Sequence, residues 1–343
     1  MGKGWFMKTV KIGVVGLAWP GNEHLKGYVA CPQAEVIALC DLDKKLLAQR
    51  AKEYGVSATF IRYNKMLGMP ELDAVSICVP NDLHKPMTLA ALAAGKHVLC
   101  EKPPALNARE AQHMADAAKK ARRVLMYALV QRFGPESVLL RQFIDRGQLG
   151  DIYFGRTAYL RRRGIPVGKE GWFINKKRAG GGSLIDIGVH CLDRAWWLMG
   201  TPKPVAVTGS TYAEFGHTVT KKYPYTVEDA SFGFIKFKNG ATLLVEATWA
   251  YNLPPRHYTE LAGTKGGASL GPLTIYTERQ GVVCDITPQV PRGNGFHGET
   301  AHFVDCILKR RKPVPHAEQG VTLMQMLDAI YKSSKTGKEV RVK

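Results

Sequence analysis

Three short stretches of the sequence gather residues that could move protons or hold charge. Cys100-Glu101-Lys102-Pro103 closes an apolar run, and a lysine fixed there would set positive charge where an oxygen turns negative. In AGGGSLIDIGVHCLD, residues 179–193, Asp186 and His190 stand four apart. On a helix that spacing puts both on one side. A histidine titrates near neutral pH and is the natural acid or base; a neighbouring carboxylate can bind a hydroxyl or bias the ring's charge. The glycines at 180–182 would let backbone approach a ligand closely. The third stretch is Gly16-Leu17-Ala18-Trp19-Pro20-Gly21. Each has a plainer reading: a solvated lysine, a core histidine, a carboxylate that only stabilises its helix, and a turn marked by glycine.

The elements that must carry these residues follow from periodicity. The first 130 residues alternate β-branched apolar runs with helix-period segments, the signature of βαβ units. KTVKIGVVG, EVIALCD, LDAVSICVP, HVLCEKP and RVLMYALV are predicted strands. Helices are expected over 21–30, from the cap Asp43 to 54, over HKPMTLAALAAG, and from the cap Asn107 to 121. LDAVSICVP is almost continuously apolar, as a parallel strand covered on both faces should be. Beyond 131 a helix (136–146) leads to the strand IYFGRTAYLRRR and then to a basic, glycine-rich loop. A helical stretch at 182–199 follows, and strand-and-turn patterns run from 205 to 283 with Asn239-Gly240 as a hairpin turn. Helices at 297–309 and 317–334 finish the chain. The expected fold is an α/β domain over residues 7–130, followed over 131–343 by an α+β domain with a mostly antiparallel sheet.

A tight glycine turn between strand and helix suits a dinucleotide pyrophosphate. Of the three glycines in G-x-G-x-x-G, the first and third are present, and Ala18 stands at the middle position. Asp41 ends the second strand twenty residues past Gly21, where a carboxylate can accept from ribose hydroxyls and repel a 2′-phosphate. NAD is therefore favoured over NADP, although Lys44 and Lys45 keep NADP open. The expected cofactor contacts are Gly16, Ala18, Trp19, Pro20, Gly21, Asp41, Pro80, Asn81, His84, Glu101 and Lys102. Glu101 and Lys102 lie at the carboxyl end of a strand, the edge where ligands sit in open α/β sheets.

With 343 residues, 45% hydrophobic and 22% charged, the chain can bury the cores of two globular domains. No apolar stretch is long enough to span a membrane, and residues 1–11 do not read as a signal peptide. Met7 is a candidate start, with 2–6 an extension. Seven cysteines, an odd number with no CxxC pair, suggest neither a disulfide framework nor a metal site, and a reducing cytoplasm is expected. The net charge of +19 could serve nucleic acid or anionic small molecules. Its clusters at 119–123, 161–163, 176–178 and 309–312 come with no nucleic-acid-binding motif, so no nucleic-acid partner is expected.

The Gly16 turn, ICVPNDLH, EKP at 101–103, GGGSLIDIGVH at 180–190 and the tail segments AHFVDCI and LDAIYKSSKTGKEV together resemble the glucose–fructose oxidoreductase / inositol dehydrogenase (Gfo/Idh/MocA) family over nearly the whole chain. The resemblance implies a Rossmann domain followed by an open-faced sheet domain that assembles as homodimers or homotetramers. It also implies a catalytic set carried here by Lys102, Asp186 and His190, which would contact substrate together with Trp172. The implied activity is NAD(P)-dependent oxidation of a secondary hydroxyl of a cyclic polyol or sugar, or the reverse reduction. Such oxidation removes a hydroxyl proton as hydride leaves carbon; His190 is favoured over Lys102 as the base. Two other readings stay open: a redox-neutral lyase or glycosidase that keeps its NAD bound, and a non-enzymatic NAD-binding sensor. The family often carries Trp-Arg before the glycine run, whereas here Phe173 follows Trp172. A cation for the substrate would then come from Arg161, Arg163 or Lys176, if those are not simply solvated.

Overall fold

The first strand, β1 (Val10–Val15), ends at Gly16, and Ala18 starts α1 (Trp19–Val29). The helix begins two residues earlier than expected because Pro20 suits a first helical turn, where a missing N–H costs nothing. β2 (Ala34–Cys40) leads to α2 (Lys44–Tyr54), where the Asp43 carboxylate accepts from the Lys45 and Leu46 N–H groups, the cap expected. Then come β3 (Ala58–Phe60) and α3 (Tyr63–Leu67), both too short to carry a periodic signal. β4 (Ala74–Ile77), α4 (His84–Ala93), β5 (His97–Glu101), α5 (Ala108–Ala121) and β6 (Leu125–Ala128) complete the series. The six strands are parallel in the order β3-β2-β1-β4-β5-β6, the doubly wound arrangement whose switch point lies between β1 and β4.

This computed structural model describes residues 8–219 and 221–342; the candidate start at Met7 and the extension at 2–6 lie outside them. After α6 (Pro135–Asp145) the second sheet begins with β7 (Ile152–Leu160), followed by α7 (Lys176–Ala179) and α8 (Val189–Leu198). Its other strands are β8 (Pro204–Tyr212), β9 (Ala230–Phe237), β10 (Thr242–Thr248), β11 (Arg256–Gly263), β12 (Gly267–Leu270), β13 (Thr274–Arg279), β14 (Val282–Ile286) and β15 (Val340–Arg341). Among the described residues they form one nine-stranded sheet in which only β7 and β10 pair parallel.

Two helices close the chain, α9 (Gly295–Leu308) and α10 (Ala317–Thr336). The chain divides into two compact units. The first runs through Pro104 and includes 109–129 and 294–321; the second holds 105–108, 130–293 and 322 onward. The sequence suggested a single cut at 130, but α9 returns to the first unit because it packs on α1. A Cβ on Gly27 would lie 2.4 Å from the Thr300 hydroxyl, and the Trp19 and Phe296 rings meet edge to face at 5.7 Å. Six of the seven cysteines are buried and all are free thiols. Among the described residues no helix is long and apolar enough to cross a membrane.

Candidate active site

In the first unit the expected cofactor residues gather at the carboxyl edge of the parallel sheet. Gly16 has φ +81°, and a Cβ there would lie 2.1 Å from the Cys78 carbonyl oxygen, so only glycine fits. A Cβ on Gly21 would meet the Gly16 carbonyl at 1.9 Å. Ala18 sits at φ −65°, a backbone that alanine adopts without strain, so the turn does not need a middle glycine for its conformation. The amino end of α1 has no side-chain cap and no acidic residue in its first turn. Its N–H groups are therefore oriented for an anion, and the turn fits a dinucleotide pyrophosphate. Asp41 accepts from Leu17 N–H at 2.7 Å and from Asp43 N–H at 2.8 Å. Each oxygen keeps a second lone pair that could take a ribose hydroxyl. Trp19 is two-thirds exposed; Pro80 and Asn81 begin the turn after β4.

Lys102 leaves β5 half-buried, on a backbone pinned from two sides. Its N–H donates to the Glu101 carboxylate at 3.0 Å, and that carboxylate faces His24 at 3.2 Å, whose other nitrogen meets the Ser76 hydroxyl at 2.7 Å. Glu101 is thus largely committed inside the unit. His84 departs from its expected role as a cofactor contact: it has no exposed surface, and its nitrogens lie 2.8 Å from the Pro103 carbonyl and 2.9 Å from that of Val79. Burial holds its pKa below the ordinary histidine value. It ties the Lys102-Pro103 turn to the end of β4, with no surface left for a ligand.

In the second unit, Asp186 and His190 are the two partly open positions in an otherwise buried run from 181 to 196. The expected α-helical spacing is interrupted by a π-helical turn at Leu184–Gly188, where Val189 N–H reaches the Leu184 carbonyl five residues back. Such turns recur at functional sites. Trp249, fully buried at the end of β10, donates its indole N–H to Asp186 at 2.9 Å. Two of the three glycines differ from expectation: Gly181 and Gly182 are buried and admit this chain's own residues. A Cβ on Gly182 would sit 1.8 Å from the Glu228 carbonyl oxygen, and one on Gly181 would sit 2.0 Å from the Tyr331 hydroxyl. The buried Glu228 carboxylate accepts from Gly182 N–H at 2.9 Å, Leu184 N–H at 3.1 Å and Tyr331 O–H at 2.8 Å. Burial raises its pKa above the ordinary carboxylate value.

Trp172 stacks on Phe173 with ring centroids 3.7 Å apart. Phe173, Tyr159, Tyr223 and Tyr225 pack around the Trp249 and Ile187 cluster, so the ground beside Asp186 is aromatic. The three candidate cations are already engaged in this unit. Arg161 lies 4.9 Å from the Tyr159 ring, Arg163 lies 4.6 Å from Phe215 and Lys176 lies 5.5 Å from Tyr331. Trp249, Glu228 and Tyr331 were missed from sequence. For Trp249 a signal existed, since a buried indole N–H must find an acceptor; for Glu228 and Tyr331 none did.

The family profile described as an oxidoreductase family with an NAD-binding Rossmann fold matches residues 10–129, and the Gfo/Idh/MocA C-terminal domain matches 138–269. The chain is 33% identical to D-glucoside 3-dehydrogenase of Escherichia coli (strain K12), over 97% of each chain. It is 31% identical to levoglucosan dehydrogenase of Pseudarthrobacter phenanthrenivorans, over 76% of this chain and 73% of that one. A solved levoglucosan dehydrogenase complexed with NADH and L-sorbose superposes with a TM-score of 0.89 at 26% identity, covering 98% of this chain and 100% of the other. The chain therefore belongs to the Gfo/Idh/MocA oxidoreductases and is an NAD(P)-dependent enzyme acting on a sugar CH–OH group.

Proposed function

We propose that the enzyme oxidises a secondary ring hydroxyl of a glycoside or anhydrosugar, with NAD preferred over NADP, and that His190 takes the hydroxyl proton. The observation that carries this reading is the pair Asp186 and His190, the two openings in a buried run, with Asp186 fixed by Trp249. The names of the relatives, D-glucoside 3-dehydrogenase and levoglucosan dehydrogenase, support the substrate class. Asp41 at the end of β2 supports NAD.

Bound NAD would supply the hydride acceptor. In this reading Lys102 offsets the negative charge that grows on the substrate oxygen, Asp186 accepts from a substrate hydroxyl and orients the ring, and Trp172 lines the substrate site. His190 returns its proton when the reaction runs backwards. The molecule works as a homodimer or homotetramer through the open face of the nine-stranded sheet, in a reducing compartment suited to seven free thiols.

The test is a panel of methyl glucosides, levoglucosan, inositol and free aldoses with NAD or NADP, followed by absorbance of the reduced coenzyme. NADH should accumulate with at least one pyranoside. Conversion of substrate with no accumulating NADH would instead establish the redox-neutral reaction. His190→Asn and Lys102→Ala should each lower kcat by about 10²–10⁴-fold while NADH still binds. Full activity in both variants would remove these residues from the chemistry.

A further inference from the structure

Within the first unit, the amino ends of β1, β4, β5 and β6 open onto a cavity of about 1030 Å³, on the edge of the sheet opposite the coenzyme turn. The end of α5 and the segment after α9 complete its wall. Eight lining residues are lysine or arginine, against two carboxylates, Asp73 and Glu318. Some of these cations are already spoken for. Lys96 donates to the carbonyls of Met69 and Leu72, Arg123 donates to that of Gly95, Arg311 pairs with Asp305, and Lys312 pairs with Glu318. Lys8, Lys119, Arg122 and Arg310 make no ion pair among the described residues, although they line one concavity. Two of the basic clusters noted in the sequence, 119–123 and 309–312, thus converge here from positions nearly 200 residues apart.

The backbone gives an independent sign. Arg122 and Arg310 have φ +53° and +52°. Each is the left-handed residue of a Schellman helix end. Arg122 N–H reaches Lys119 O and Arg123 N–H reaches Ala118 O; Arg310 and Arg311 repeat the pattern on Ile307 and Cys306. Glycine is the residue favoured at this position, and α2 in the same unit ends on Gly55 at φ +67°. Two helices therefore retain arginine where glycine is easier, and both arginines line the same cavity.

We propose that this cavity binds a small molecule carrying two or more phosphate groups, held by Lys8, Lys119, Arg122 and Arg310. Converging unpaired cations repel one another, and a multiply charged anion relieves that repulsion. The arginine fork matches phosphate oxygens in pairs. The concavity has the size of a small-ligand site, whereas a nucleic-acid backbone would be met by a stripe of charge along a face or helix.

Inorganic tripolyphosphate is titrated calorimetrically into the full-length protein saturated with NADH, so that the coenzyme turn is filled, at an ionic strength of about 0.15 M. One saturable site per chain is expected. In Arg122→Gly/Arg310→Gly, where the left-handed backbone is eased, the thermal transition should hold or rise while affinity falls about 30-fold or more. If that variant does not fold, exposed Lys119→Gln decides by the same loss of affinity with NADH binding retained. No saturable site in the wild type, or unchanged affinity in the folded variants, overturns the proposal. So does tight binding of a short DNA duplex that tripolyphosphate fails to displace.

Discussion

Asp186 can act as an orienting group only if its carboxylate is held still, and the indole of Trp249 does that holding. Trp249→Phe keeps a buried ring and removes only the N–H, so the fold should survive. A lost hydrogen bond to a charged group corresponds to about 1.5–3 kcal/mol. If Asp186 holds the substrate for hydride transfer, the loss should fall on kcat, at roughly tenfold or more, with NADH affinity unchanged. A variant with wild-type kcat would relegate Trp249 to packing. His84 makes the complementary case in the first unit. His84→Ala removes a buried ring that bridges the Val79 and Pro103 carbonyls and leaves at least one of them without a donor. Thermal or urea unfolding should register about 2–3 kcal/mol of lost stability, with kcat lowered through the Lys102 turn. An alanine variant as stable as the wild type would show that the clamp contributes nothing.

Elements decide where those residues point, and here local and distant signals part company. The Asp43 cap, the alternation of strands with helices and the Asn239-Gly240 hairpin were legible because each depends on neighbours in sequence. The pair Asp186 and His190 was legible as a pair, yet the π-helical turn that carries Asp186 was not. That turn depends on Glu228, more than forty residues away, which binds Gly182 N–H and Leu184 N–H. The same distance hid the meaning of the glycines and the return of α9 to α1. Gly182→Ala is therefore expected to unfold or shift this turn, since its Cβ would stand 1.8 Å from the Glu228 carbonyl. A second test concerns β5, whose first residue, His97, accepts from Val124 N–H at 2.9 Å. Burial, with Arg123 nearby, lowers His97 from 6.5 to about 4. The folded state thus resists a proton that the unfolded chain accepts. Its contribution is complete above about pH 6.5 and fades as the pH falls through 4, by at most about 3 kcal/mol at 1.36 per unit. His97→Asn, which can still accept from Val124, should flatten the dependence of urea stability on pH between 6.5 and 4. An unchanged slope would clear His97 of the effect.

At the scale of the whole molecule, the proposed dimer or tetramer rests on the free face of the second sheet. On one face Leu243, Val245 and Ala247 of β10 are buried, and Gly209 and Gly233 sit against Ile330 of α10. The alternate residues therefore point the other way. Phe234 lies across from Leu244, and Phe232 across from Glu246; Arg156 stands beside Leu244 and opposite Glu260. Leu244 is 39% exposed, and both phenylalanines are half-buried. A face that mixes such apolar residues with the Arg156–Glu260 and Tyr258–Glu246 pairs has the make-up of a subunit interface. The net charge of +19 bears on the same interface, because it makes like chains repel over long range. In the proposed dimer or tetramer, association would come from short-range burial, and added salt should strengthen it by screening that repulsion. Light scattering behind size exclusion should give two or four chains per particle, with the assembly persisting at high salt. Leu244→Asp, which puts a carboxylate in the middle of the apolar row, should release monomers that keep their NADH binding. A wild-type monomer at micromolar concentration, or an assembly indifferent to Leu244→Asp, would mean that the chains meet elsewhere.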